Sequence, residues 1–202
     1  SDRAAGVASD VVRLAVPPRQ VRIEKAWVAR RTDSAEATAM LNEQRPAARA
    51  IAGYDPAHIA ALLSADSEIE GVDSNRRAAL SARPHPVEVR EGVWVSSAMR
   101  TLAELAVAML ATGRSAIVSV PDYRDLDQLE ACLESDVASD DIARLDSKQP
   151  SADRYRAFLR ALDERPVIVI GNRSALLAPA SALGLIAVWD DGDSLHVEPR
   201  AP

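Results

Sequence analysis

One cysteine, two lysines, few aromatics and no long apolar run set the first limits on this 202-residue chain. A lone thiol, Cys132, closes no internal disulfide and offers no metal framework. It stands in "LEACLE" beside Leu129 and Leu133, on the apolar face expected of a helix, which is where a buried structural thiol belongs. Aromatic residues make up 3% of the chain against a hydrophobic fraction of 48%, so the core has to be built from Ala, Leu, Val and Ile. The longest apolar stretch, "LAELAVAMLA", carries Glu104 and falls far short of the ~18 residues of a membrane span. With no secretory leader in view, the expected location is the cytoplasm. A first residue that is not Met and an ending in "EPRAP" suggest a piece of a longer protein.

Positive charge rests almost wholly on arginine, since Lys25 and Lys148 are the only lysines. A net charge of −6 argues against a chain that coats nucleic acid along its whole surface, but leaves room for a local basic patch. Seven basic and three acidic residues lie between Ser1 and Arg31, and Arg19, Arg22, Lys25, Arg30 and Arg31 form either such a patch or a solvated face.

Three zones follow along the chain. Residues 1–31 hold a short apolar helix or turn, "ASDVVRLAVPP", and the basic "RQVRIEKAWVARR". Residues 32–86 are alanine-rich and mostly helical, with "DSAEATAMLNEQ" and "DPAHIAALLSA" opening on capping residues and a polar connector ending in Pro-His-Pro. From residue 87 to 202, short apolar runs alternate with amphipathic helices. "VEVREGVWV" is a strand candidate, and "SAIVSV", "PVIVI" and "GLIAVW" read as buried strands, with "DIARLD" a weaker one. "MRTLAELAVAML", "RDLDQLEACLE" (Asp125 and Gln128 offering a capping box) and "SADRYRAFLRALDE" read as helices. The expected class is α/β: a parallel sheet flanked by helices, preceded by a small helical region. Ligands in such sheets meet the loops at the strands' carboxyl ends.

A phosphate-cradling loop needs glycines, a lysine and a hydroxyl in G-x-x-x-x-G-K-[ST]. Where it would stand, before the helix near Met99, the chain has "GVWVSSAMRT", without lysine and without glycine after Gly92. Ser96 and Ser97 are candidate helix caps there. The acids Asp190, Asp191 and Asp193 follow a buried strand, where a magnesium-holding carboxylate is sought, but the strand's last residue is Trp189, which donates only through its indole N–H. "DDGD" closed by Gly192 reads first as a solvated acidic turn, and His196 with Glu198 read first as surface residues and only then as part of a metal set. His58 and His85 have no triad or metal partner in the sequence, so spacing alone defines no catalytic residue and no metal site.

"IGNRSALLAP" followed by "LGLIAVWDDGD", and "GRSAIVSVPDYRDLDQL" before them, resemble the primosomal replication-restart helicase family PriA, which carries "IGTRSALFAP", "LGLIIVDEEHD" and G-[KR]-x-A-[IL]-V-x-V-P-E. The resemblance spans about residues 87–202, and "ASDVVRLAVPPRQVRIEK" is similar to the close of that family's fork-binding domain. It implies a P-loop NTPase (RecA-like) lobe at 87–202, the end of a DNA-binding domain and basic linker at 1–31, and a winged-helix position at 32–86. Set against the family's G-V-T-G-S-G-K-T, residues Gly92 to Met99 put Ala98 at the lysine and Met99 at the threonine; D-E-E-H falls on Trp189, Asp190, Asp191 and Gly192.

The resemblance thus implies a degenerate nucleotide site at Gly92, Ser96, Ser97, Ala98, Met99, Trp189, Asp190 and Asp191, and helicase activity lost with it. The family uses ATP, magnesium and zinc; its zinc cysteines lie further along and are absent from this stretch. Its nucleic-acid loop maps onto Asn172, Arg173 and Ser174, although Arg173 is also placed to brace the acidic turn. The implied role is recognition of forked or branched DNA together with other primosome and replication proteins, with no membrane. The alternatives are an ATP-binding helicase with an unorthodox site, and a protein–protein scaffold without DNA contact.

Overall fold

A computed structural model describes residues 15–32, 50–64 and 77–196. The "DSAEATAMLNEQ" segment and Glu198 lie outside them, as does most of "ASDVVRLAVPP". The basic segment forms a helix, α1 (Val21–Thr32). A second, α2 (Pro56–Leu63), starts where the Asp55 carboxylate accepts from the Ala57 amide at 2.9 Å. Its Ile59 and the preceding Ile51 pack on Leu105.

"VEVREGVWV" does not form one strand. It folds back on itself as β1 (Pro86–Arg90) and β2 (Val93–Ser96), an antiparallel pair outside the main sheet. The reason lies in the residues: Glu91-Gly92 breaks the run, Gly92 takes φ +74° as a turn requires, and its amide donates to the Glu88 carboxylate at 2.8 Å. Apolar Val87, Val89 and Val95 then share the inner face, leaving Trp94 59% exposed on the outer one.

Helix α3 (Ser97–Ala111) follows, then β3 (Ser115–Ser119), α4 (Tyr123–Glu134), β4 (Ile142–Leu145), α5 (Ser151–Ala161), β5 (Ile168–Gly171) and β6 (Leu183–Val188). The last four strands make a parallel sheet in the order β4-β5-β3-β6. This is the α/β architecture expected from the sequence, and the weak "DIARLD" run is a genuine strand within it.

The sheet is covered on both faces. Ala116, Val118, Ile168 and Ile170 point to α3 and α4, where they meet Met99, Ala106, Leu126 and Leu129. Ile117, Val167 and Val169 point the other way, to Ala161 on α5 and Ala175. With both faces covered the strands read as continuous apolar runs rather than alternating ones. The edge strand β6 is the exception: Ile186 is 54% exposed. Gly171 tolerates no side chain, because a Cβ there would sit 2.1 Å from the Leu145 carbonyl oxygen. Arg144 braces β4 to α4 through Asp127 at 2.8 Å and Glu130, and holds Asp146 at 2.7 Å.

The first turn of α4 departs from the expected capping box. Its cap is Asp122, whose carboxylate accepts from the amides of Arg124 (2.7 Å) and Asp125 (3.0 Å). Gln128 instead turns away and accepts from the Ser96 amide at 2.7 Å. One α4 side chain therefore fastens the hairpin to the domain.

Candidate functional site

The loops leaving β3, β4, β5 and β6 share one end of the sheet, and each carries polar groups there. Residues 92–99 approach this region as a turn at Gly92, the strand Val93–Ser96 and the first residues of α3. Gly92 sits in the hairpin turn and Ser96 is the N-cap of α3, accepting from the Met99 amide at 3.3 Å. The Ser97 amide donates to the His85 carbonyl at 3.0 Å and its hydroxyl to the Arg83 carbonyl. The amides of Ser96, Ser97 and Met99 thus all have partners within the protein; the Ser96 hydroxyl serves as the expected cap, whereas the Ser97 hydroxyl is tied to the Arg83 carbonyl. Ala98 is 6% exposed and Met99 fully buried. Both belong to the apolar cluster against which Trp189 packs.

Beyond β6, Trp189 holds its place by main-chain bonds: its amide donates to the Ser119 carbonyl at 2.9 Å, and His196 Nε2 donates to its carbonyl at 2.9 Å. Asp190 adopts φ +47° and its carbonyl accepts from the Asp193 amide at 2.9 Å, closing a tight turn. The Asp193 carboxylate accepts from the Leu195 amide at 2.7 Å. Among the described residues no group of three or more His, Cys, Asp or Glu is arranged to hold a metal ion. Burial, and then the carboxylates of Asp122, Asp190 and Asp193, push the Asp125 carboxyl up. This edge of the rim, beside β3 and β6, is therefore crowded with negative charge.

Asn172, Arg173 and Ser174 lie after β5, half-buried, with Arg173 and Ser174 opening a single-turn helix, Arg173–Leu177. The Asn172 side-chain amide donates to the carbonyls of Val120 (3.0 Å) and Pro121 (3.2 Å), so it ties this loop to the one after β3. Close by, the Lys148 ammonium lies 3.2 Å from the centroid of the Tyr123 ring, and the Arg124 guanidinium lies 5.8 Å from it. Tyr123 keeps 42% of its surface exposed. Sequence reasoning passes over this cluster, because Tyr123 opens α4 while Lys148 sits in the loop after β4, and only the sheet brings them together. The one available signal is that Lys148 is one of just two lysines.

The basic segment is joined to the same end. Gln20 Nε2 donates to Ser151 Oγ at 3.5 Å and Trp27 Nε1 to the Asp163 carboxylate at 3.4 Å, so α1 runs alongside α5 in the same direction. Arg22, Lys25 and Arg30 are exposed; Arg19 pairs with Glu24 at 2.6 Å, which raises its pKa; Arg31 lies in the helix.

No family model matches the chain. Proteins called probable replication restart protein PriA, from Mycobacterium tuberculosis (strain CDC 1551) and Mycobacterium bovis, are each 36% identical to it over 200 residues. The Mycobacterium leprae protein of the same name is 32% identical over 200 residues. The match takes in 99% of this chain but 27% to 28% of those relatives, so the chain spans little more than a quarter of their length. Along essentially its whole length, then, this chain is similar to one segment of the replication restart protein PriA.

Proposed function

We propose that the chain is the DNA-binding part of a replication-restart protein, one that recognises forked DNA and assembles with other replication proteins without hydrolysing ATP. The observation that carries the second half is the start of α3. A nucleotide-binding loop presents free amides to phosphate, with a lysine and a metal-orienting hydroxyl beside them. Here the amides of Ser96, Ser97 and Met99 already have acceptors, and Ala98 and Met99 are packed into the core. The residues present do not fit a magnesium–triphosphate group, and Trp189 extends the same apolar cluster. Phosphoryl transfer depends on positioning and electrostatics, so each missing group costs orders of magnitude in rate.

The DNA half rests on Asn172, Arg173 and Ser174 at the carboxyl end of β5, on the exposed cations of α1, and on the relatives' name. In this reading residues 1–31 end a fork-binding region, 32–86 stand in the winged-helix position, and 87–202 form a helicase-type lobe that keeps the scaffold. The proposed location is the cytoplasm; among the described residues no helix is long and apolar enough to cross a membrane.

Calorimetric titration with ATP and magnesium tests the first half, and no binding tighter than ~0.1 mM is expected. Tighter binding, or phosphate release by contaminant-free protein, favours the unorthodox motor instead. A fork-binding titration between about 50 and about 200 mM salt tests the second half. A steep fall in affinity, reduced by Arg173→Ala, supports DNA contact at this loop; the absence of fork binding favours the scaffold reading.

A further inference from the structure

We infer that the Tyr123–Lys148 pair is a stacking platform for an unpaired nucleobase, and that α1 continues its path as a phosphate track. The inference rests on the DNA-binding reading above and names which DNA is held and where. The sheet places three features at one end. Tyr123 opens α4 and offers an aromatic face that is 42% exposed even with the Lys148 ammonium 3.2 Å from its centroid. Arg124 supplies a planar cation beside the same ring, its Nε donating to the Tyr123 hydroxyl at 3.4 Å. The Gln20–Ser151 bond sets the start of α1 three residues past Lys148, so the exposed Arg22 and Lys25 extend the positive charge along α5.

Each group suits a single strand. Every base has a flat π-face, and an exposed tyrosine can receive it only when the base is unpaired. An ammonium resting on an exposed ring is weakly held, so Lys148 can exchange the ring for a phosphate while the base takes its place. The Arg124 guanidinium can take the neighbouring phosphate. Beyond β6, the carboxylates of Asp190 and Asp193 act on Asp125, and their charge repels a polyanion from the β6 edge. The strand is thereby confined to the β4–β5 side and led toward α1. Two basic features that lie more than a hundred residues apart in the sequence become one continuous surface.

The test is fluorescence anisotropy of the 202-residue chain with a labelled oligothymidylate of about 16 nucleotides, and with a blunt duplex of the same length. Tyr123→Ala is expected to weaken single-strand binding about tenfold while leaving the salt slope and duplex binding unchanged; Tyr123→Phe, which keeps the ring, is expected to bind as the parent does. Lys148→Ala, and the pair Arg22→Ala with Lys25→Ala, are expected to flatten the salt slope by about 0.7 per lost contact. Parent-like single-strand affinity for Tyr123→Ala, or an equal loss on duplex and single strand, overturns the platform. If the parent chain binds forks steeply and Tyr123→Ala is silent, the platform alone fails. If the parent binds no DNA at all, the DNA-binding reading fails with it.

Discussion

At the residue scale, Cys132 shows how burial alone sets chemistry. It lies fully enclosed on the inner side of α4, and that burial, only partly offset by Arg100, pushes the thiol up to about 11. Such a thiol carries almost no thiolate near neutral pH, so it is inert to thiol reagents until the chain unfolds. The raised value also ties stability to pH. Below about 9 the thiol is protonated in both folded and unfolded chains, and its contribution is fully present. Between about 9 and about 11 the unfolded chain releases its proton and the folded one does not, so stability is lost as pH rises. Urea unfolding at about pH 8 and about pH 10.5 should show the parent losing ~2 kcal/mol more than Cys132→Ala. Equal losses would mean the thiol titrates alike in both states.

At the scale of elements, the hairpin β1–β2 is held by more than its own ladder. Gln128 on α4 accepts from the half-buried Ser96 amide, and Ser97 donates to the segment before β1. Replacing Gln128 with Ala leaves that amide without its acceptor, at a cost of ~1–2 kcal/mol. Thermal unfolding should report a lower Tm. Helix α4 itself should keep its helicity, since its cap is Asp122. A capping-box role for Gln128 would have made the opposite forecast, with fraying of α4 as the main effect. The elements the sequence discloses best are those with one dominant signal. "SAIVSV" and "PVIVI" are continuous apolar runs, as expected of a sheet covered on both faces; "GLIAVW" has the same composition but is the edge strand β6, partly exposed rather than buried as expected. "VEVREGVWV" misleads because both halves have strand character and only the Glu91-Gly92 turn separates them. The helix over "RQVRIEKAWVARR" is hard to see because α1 leans on α5 through Gln20 and Trp27 and has no wide apolar face.

At the scale of the whole molecule, charge is concentrated locally against an acidic background. The chain is acidic overall, at −6, and Asp122, Asp125, Asp190 and Asp193 concentrate acid at the β3–β6 edge, while α1 exposes Arg22, Lys25 and Arg30. If that edge repels DNA, changing Asp190, Asp191 and Asp193 together to Asn should raise DNA affinity about threefold at low salt and less as salt screens the field. Unchanged affinity in anisotropy titrations would place the DNA far from this edge. Site residues carried by motif, such as Asn172 to Ser174, are legible along the chain. Those assembled by topology are not. Tyr123 and Lys148 meet because α4 and the loop after β4 open at the same end of the sheet, and no spacing rule encodes that.

The hairpin in front of α3 has a last consequence for how such a lobe would work. Motors derive direction from a cycle in which bound and spent fuel favour different shapes, and a state with no preference between them cannot be cycled. If, as proposed, the fuel position is filled by the packed side chains of Val95, Ala98, Met99 and Trp189, the grip on DNA has no internal clock. Its release would be governed from outside, by competing strands or by whatever protein arrives at the junction next.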